Sequence, residues 1–251
     1  MPHPLRVMTY NVRACLGLDG ARRPERVAEV IRRCEPDLVA LQELDVGVAR
    51  SGGVDQPARV AELAGMRAHF TAARPLGEGW YGNAVLAARP FALRAEGSLP
   101  VRFGEPRAAQ RVTVSLGDVE VELVNTHLSV HFVERLAQAR ALFHEVERAV
   151  EDGGYAPVTG RPERVVLCGD LNAGGWSPVY RWLARRLTDA QRAVRPRALA
   201  TWPANRPVLR LDYVWVGPGV RVERVEAPRD ALTSVTSDHL PLVVDLAVDA
   251  A

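Results

Sequence analysis

Residues 165–172 read V-V-L-C-G-D-L-N. Val165 to Cys168 form an apolar run that predicts a short buried strand. Gly169 then lets the backbone turn and lets another group approach closely. Asp170 and Asn172 follow, a carboxylate and a carboxamide at the carboxyl end of the strand. Open α/β sheets gather their ligands at such ends. Gly, Asp and Asn are also ordinary turn residues. The stretch alone therefore supports a structural turn equally well, and the rest of the chain has to decide.

Working outward, the same grammar recurs. Residues 5–10 predict a strand that ends at Asn11, and 38–41 a buried strand ending at Gln42 and Glu43. Residues 109–116 and 119–125 predict a hairpin around Gly117–Asp118, running on into Asn125, Thr126 and His127. Further strands are expected over 68–71, 84–88, 209–216 (carrying Asp212), 220–226 and 240–246, the last preceded by Ser237, Asp238 and His239. Helices are expected over 24–34, where Val27, Val30, Ile31 and Cys34 share one face, and over 57–64. A longer one is expected over 132–151, with Leu136, Ala139, Leu142, Phe143, Val146 and Val150 along one side, and a short one from Pro178 through Leu183. Residues 152–163 read as a Gly/Pro linker and 192–207 as an Arg/Pro-rich surface loop. Strands alternating with helices make this an α/β chain. Its 251 residues suit one domain spanning 1–251.

Composition narrows the chemistry. Hydrophobic residues make up 47% and charged residues 25%, with a net charge of +2. That mild balance lacks the strong basic footprint of a dedicated nucleic-acid binder. Every basic residue other than histidine is arginine, which removes lysine Schiff-base chemistry and the P-loop lysine. Cys15, Cys34 and Cys168 have no C-x-x-C spacing, so neither a disulfide framework nor a zinc ribbon is supported. No leader or membrane-spanning run is visible, and a reducing cytoplasmic setting is expected.

Each polar strand end alone can be a cap or a turn. Together, Asn11, Glu43, Asn125, His127, Asp170, Asn172, Asp212, Asp238 and His239 form an inventory of carboxylates, carboxamides and two imidazoles. Packed sheets bring strand ends together, so these groups can converge. The inventory suits a hard, oxygen-liganded cation, Mg²⁺ or Mn²⁺, with Glu43 the best direct ligand. Imidazoles and a carboxamide can donate to phosphoryl oxygens, and a carboxylate can take a proton from water. The parts suit metal-assisted hydrolysis of a phosphate ester.

M-T-Y-N at 8–11, L-Q-E at 41–43, N-T-H-L at 125–128, G-D-L-N at 169–172, L-D-Y at 211–213 and S-D-H-L-P-L at 237–242 follow the order seen in the endonuclease/exonuclease/phosphatase superfamily. The chain resembles that family from residue 6 to 246. The resemblance implies a four-layer α/β/β/α sandwich, DNase I-like, with the site at one end of two packed sheets. It also implies roles. Asn11 and Glu43 look like metal-side residues, and Asp238 a further metal contact, direct or through water. His127 looks like a phosphate contact and Asp170 the group that orients or deprotonates water. Asn172 resembles a transition-state hydrogen-bond donor, and Asp212 the carboxylate that orients His239.

The family includes nucleases, inositol phosphatases and sphingomyelinases, and fold alone does not choose among them. Abasic-site endonucleases typically read W-N-x-N-G-x-R near the start, where this chain has Y-N-V-R. They also tend to carry G-W-R before the D-Y motif, where it has V-L-R-L-D-Y. A small-molecule or lipid-head-group ester is therefore favoured over nucleic acid, with a catalytically silent binding module as the remaining alternative. Arg50 in R-S-G-G-V-D-Q, Asn83 in Y-G-N-A-V-L and Arg107 in E-P-R resemble segments of bacterial family members. These residues either line the pocket, with an arginine on phosphate, or serve as surface pairs and turns. Trp202 in T-W-P offers a face for base stacking or packs on Pro203. A monomer is expected.

Overall fold

The computed structural model describes residues 1–151 and 163–250. The expected linker, apart from Glu163, lies outside the described residues, as do the side chains of Phe143, Val146 and Val150. Two six-stranded sheets make up the centre. One runs in the order β11 (Val220–Glu226), β12 (Leu242–Val248), β1 (His3–Asn11), β2 (Leu38–Val46), β4 (Gly79–Ala87), β3 (Arg67–Leu76). The other runs β5 (Phe91–Ser98), β6 (Ala108–Leu116), β7 (Val119–His127), β8 (Val165–Asp170), β10 (Asp212–Val216), β9 (Thr188–Asp189). Each sheet has one parallel pair, β1 with β2 and β7 with β8, among antiparallel neighbours. Helices α1 (Pro24–Cys34) and α2 (Gln56–Ala64) cover the first sheet. Helices α3 (Phe132–Glu151) and α4 (Pro178–Leu183) cover the second. The fold is the four-layer α/β/β/α sandwich that the sequence predicts.

The two-residue period of a strand builds the layers. On β1, Leu5 and Val7 enter the core between the sheets, while Met8 and Tyr10 face the α1/α2 layer. On β8, Val166 and Cys168 go inward and Val165 and Leu167 meet the α3/α4 side. On β10, Val214 and Val216 go inward and Tyr213 and Trp215 outward. A strand buried on both faces reads as a nearly continuous apolar run, which is why V-V-L-C shows no alternation.

The helices end where the sequence requires. Pro24 stands in the first turn of α1, and Glu35 leaves it in a left-handed conformation at φ 48°. Asp55 caps α2 by accepting from the Ala58 N–H at 3.0 Å, and Gly65 closes it at φ 68°.

Two expectations need correction, and one strand was not foreseen. The strand expected over 209–216 starts at Asp212. Upstream, the Val208 and Leu209 N–H groups donate back to the Trp202 carbonyl, so that segment is spent in a turn. The loop expected over 192–207 begins inside a short helix, α5 (Ala190–Val194), capped by Asp189. Strand β5, F-A-L-R-A-E-G-S, is an edge strand with mixed burial, and its sequence carries no clean alternation.

Candidate active site

The inward face of each strand is apolar along most of its length and polar at one end. On β1, Leu5 and Val7 lead to Thr9 and Asn11. On β7, Val121 and Leu123 lead to Asn125 and His127, and on β8, Val166 and Cys168 lead to Asp170. Register aligns these ends: His127 pairs with Asp170 across β7–β8, and Asp170 with Asp212 across β8–β10. His127, Asp170 and Asp212 thus stand in a row on three adjacent strands.

Two local irregularities complete the cluster. The β2–β4 register shifts between Leu41 and Leu44, a bulge that leaves Leu44 outward with Val39 and Leu41. Glu43, at φ 62°, is thereby turned to the inner side, where Asn11 Nδ2 donates to its Oε1 at 2.9 Å. Asn172 also sits in the left-handed region, at φ 48°. Such positions cost about 1–3 kcal/mol and gather at functional sites. Gly169 permits the close approach of β8 to β7: a Cβ there would stand 1.8 Å from the Thr126 carbonyl oxygen.

Asp170 is the hub and is buried. Its Oδ2 accepts from Asn11 Nδ2 at 3.0 Å, and its Oδ1 from the Asn172 N–H at 2.9 Å. His127 Nε2 and His239 Nε2 lie 3.5 Å and 3.7 Å from Oδ2. His239 Nδ1 is 2.9 Å from Asp212 Oδ2, which fixes the ring. On His127 the far nitrogen meets an arginine instead: Arg107 Nη1 is 3.1 Å from Nδ1. A guanidinium is always a donor. Nδ1 is therefore the acceptor, and the proton of the neutral ring sits on Nε2. Asn172 Nδ2 donates to the Leu128 carbonyl at 3.0 Å and lies 3.1 Å from that Nε2.

The electrostatics separate these groups. Burial pushes Asp170 up to about 7, helped by Asp212 and opposed by His239 and the hydrogen bonds from Asn11 and Asn172. Burial alone would lower His239, but the Asp212 and Asp170 carboxylates outweigh it and raise its pKa to about 10. His127 falls well below its ordinary value through burial, then Arg107, then His239.

Glu43 fits a hard cation. Its carboxylate is partly exposed, projects beside Asn11 and Asp170, and has no arginine within ion-pair distance among the described residues. Around it stand the Asn11 amide and the Asp170 carboxylate, with His127 Nε2 at 4.0 Å; carboxylate oxygens are the ligands that Mg²⁺ or Mn²⁺ prefers. Asp170, Asp212 and His239 also place ligand-capable atoms within 4.8 Å of one another. There, however, His239 and Asp212 already hydrogen-bond to each other, so a cation between them would have to break that contact. Asp238 stands at the rim, 3.7 Å from Arg13 Nε.

The remaining expected residues divide. Arg107 joins the cluster through His127. Arg50 forms a two-pronged pair with buried Asp45, at 2.9 Å and 2.8 Å. Asn83 is buried and donates to the Ala108 carbonyl at 3.0 Å. Trp202 lies in a loop whose neighbours bond to the segment before β12: Ala204 N–H donates to the Asp238 main-chain carbonyl and Leu240 N–H to that of Thr201. Asn125, which the sequence offers as ligand-capable, stitches the two sheets together. It accepts from Gln42 Nε2 at 2.9 Å and donates to the Leu41 and Ala84 carbonyls at 3.0 Å and 2.9 Å. The sequence reading missed Arg13 and Ser237. Ser237 Oγ donates to the Asn11 carbonyl at 2.8 Å and ties the last strand to the first. The S-D-H run was the available signal for it.

Among the described residues, no helix is long and apolar enough to cross a membrane. No curated protein sequence matches the chain. Solved structures do. An endonuclease/exonuclease/phosphatase protein from Beutenbergia cavernae DSM 12333 is 27% identical with a TM-score of 0.78, over 99% of this chain and 72% of that one. A mannosyl-6-phosphatase from Bacteroides thetaiotaomicron VPI-5482 is 18% identical with a TM-score of 0.72, over 96% and 99%. The human Nocturnin catalytic domain with bound sulfate is 22% identical with a TM-score of 0.70, over 98% and 94%. The last two share the fold. The profile described as Endonuclease/Exonuclease/phosphatase family matches residues 8–239. With that match running from β1 to His239, the chain belongs to the endonuclease/exonuclease/phosphatase family.

Proposed function

We propose that the protein is a divalent-metal-dependent phosphoesterase. It would act by in-line attack of water on the phosphate ester of a small molecule or lipid head group. The observation that carries this reading is Asp170. It is a buried carboxylate, raised to about 7, with two imidazole Nε2 atoms within 3.7 Å and a second carboxylate, Glu43, tied to it through Asn11.

In this reading Asp170 takes the proton of the attacking water, a task suited to a base poised near neutrality. His239, held as imidazolium by Asp212, presents Nε2–H to a phosphoryl oxygen. His127 presents its own Nε2–H beside Asn172 Nδ2. The two nitrogens stand 3.1 Å apart, so one phosphoryl oxygen lying beside the pair would accept from both. Asn11 orders Asp170 and Glu43 together. A Mg²⁺ or Mn²⁺ ion held by Glu43, by Asn11 once its amide turns its oxygen away from the Arg13 N–H, and by Asp238 directly or through water, would supply Lewis-acid stabilisation of charge on the ester oxygens. Donors fixed in advance in this way contribute a few kcal/mol each. The phosphatase named among the similar structures supports a small phosphate ester, and the mild net charge of +2 supports it over a polyanion.

The test is a panel of sugar phosphates, aryl mono- and diesters, lipid-head-group esters and abasic or plasmid DNA, each with Mg²⁺, Mn²⁺ and EDTA. Metal-dependent release from a small ester supports the proposal. Cleavage of DNA alone, falling steeply with salt, would replace it with a nuclease. No hydrolysis of any ester would leave a binding module.

A further inference from the structure

Beside Arg107, which meets His127 at Nδ1, lies a cavity of about 570 Å³ lined also by Arg74, Phe103, Glu105 and Val130 among others. A register shift in β3 between Ala72 and Arg74 sets Arg74 there. Its guanidinium is held over the Tyr81 ring, 5.0 Å from the centroid. The Arg107 side chain is 7% exposed and that of Arg74 21%. Both are largely withdrawn from water, where a charge needs a partner. Among the described residues one carboxylate reaches them. Glu105 Oε1 lies 3.1 Å from Arg74 Nη2, and Glu105 Oε2 lies 3.5 Å from Arg107 Nη2. Glu105 is itself 52% exposed.

Two arginines thus share one loosely held carboxylate. The loop that carries it is fixed at its other end. Glu134 Oε1 accepts the Arg102 and Gly104 N–H groups at 2.7 Å and 2.9 Å, and also that of Phe103. Such a carboxylate occupies the place of an exchangeable oxyanion, and paired guanidinium groups recognise oxyanions of this kind. The bound group would not be the reacting phosphate. Arg107 meets His127 at Nδ1, whereas Asp170 and Glu43 face Nε2. An anion on Arg107 Nη2 therefore lies across the imidazole ring from the reacting centre. Phe103 and Val130 give the passage an apolar wall.

We propose that this cavity is a second anion subsite, formed by Arg74 and Arg107 and held in the free protein by Glu105. Its ligand is an oxyanion joined by a short apolar spacer to the group at Asp170. The subsite rests on the phosphoesterase reading only in making that ligand part of the substrate, a phosphate ester with a second anionic group.

Calorimetry with methylphosphonate and a series of alkane-α,ω-bisphosphonates of increasing length, in Mn²⁺, tests it. One chain length should bind at least about tenfold more tightly than methylphosphonate. Arg74→Gln should abolish that gain. Glu105→Gln, at a half-exposed position, should enlarge it and reads the subsite independently should Arg74→Gln fail to fold. Phosphonocarboxylates of the same length identify whether phosphate or carboxylate is preferred; a gain from either supports the subsite. No gain at any length, a gain that survives Arg74→Gln in a folded protein, or no enlargement in Glu105→Gln overturns it. Hydrolysis of 4-nitrophenyl phosphate is measured on the same preparations. Absence of hydrolysis there and across the whole ester panel, beside an intact length preference, would overturn the phosphoesterase reading and still support the subsite.

Discussion

Two histidines approach the same oxygen of Asp170, and they differ in charge. His239, on the segment leading into β12, has a carboxylate at Nδ1 and is raised to about 10. His127, at the end of β7, has a guanidinium at Nδ1 and is pushed well below its ordinary value. Both are buried, so burial does not separate them. The partner on the far ring nitrogen does. One half of the site is thus an imidazolium that balances two carboxylates, and the other a neutral donor whose tautomer Arg107 selects. Two buried imidazoles thus take opposite protonation states because a guanidinium faces one and a carboxylate the other.

Removing the partners breaks the comparison. Asp212→Asn should lower kcat by roughly two to three orders of magnitude. The His239 pKa should drop by NMR titration, with the backbone spectrum otherwise retained. A smaller loss is expected from Arg107→Gln, roughly ten- to a hundredfold in kcat. In that variant the His127 pKa should rise, and its ¹⁵N shifts should show Nδ1 protonation appearing. Unchanged His127 shifts would show that Arg107 does not set the tautomer.

The smallest effect concerns stability. Asp170, raised from 3.8 to about 7, and His239, raised from 6.5 to about 10, both hold protons more tightly in the folded state. Their contributions are full below their unfolded values and are lost as pH rises through about 7 and about 10. His127, held below its ordinary value of 6.5, works the other way up to that pH, so the thermal midpoint of metal-free protein should fall by several degrees between about pH 6.5 and about pH 9. Asp170→Asn should flatten the lower part of that slope. A midpoint that rises over this range would contradict the assignment.

Much of this site was legible in sequence because it follows a local rule. Asn11, His127 and Asp170 each end an apolar strand run, and strand parity then sends them to one face. Asp212 was marked by L-D-Y, but its place at the very start of β10 depends on pairing with β8. Glu43 was marked by L-Q-E, but the bulge that turns it inward is a relation between β2 and β4. Asn125 looked like a ligand because type and position matched. Its actual partners, Gln42 and two carbonyls of the other sheet, are distant in sequence. Arg107 was ambiguous for the same reason, and Arg74 carried no signal at all: an arginine's role is set by what faces it. The edge strand β5 escaped notice because an edge need not bury one clean face.

The central claim is that Asp170 activates water at a metal-assisted phosphoesterase site. The direct test is turnover of bis(4-nitrophenyl) phosphate by wild type and Asp170→Asn, with Mn²⁺ and after EDTA, beside thermal melts of both. The account predicts turnover in wild type that EDTA abolishes. It also predicts a loss of roughly three orders of magnitude or more in a variant that still melts cooperatively. Near-normal turnover in folded Asp170→Asn, or wild-type turnover indifferent to EDTA, would contradict it.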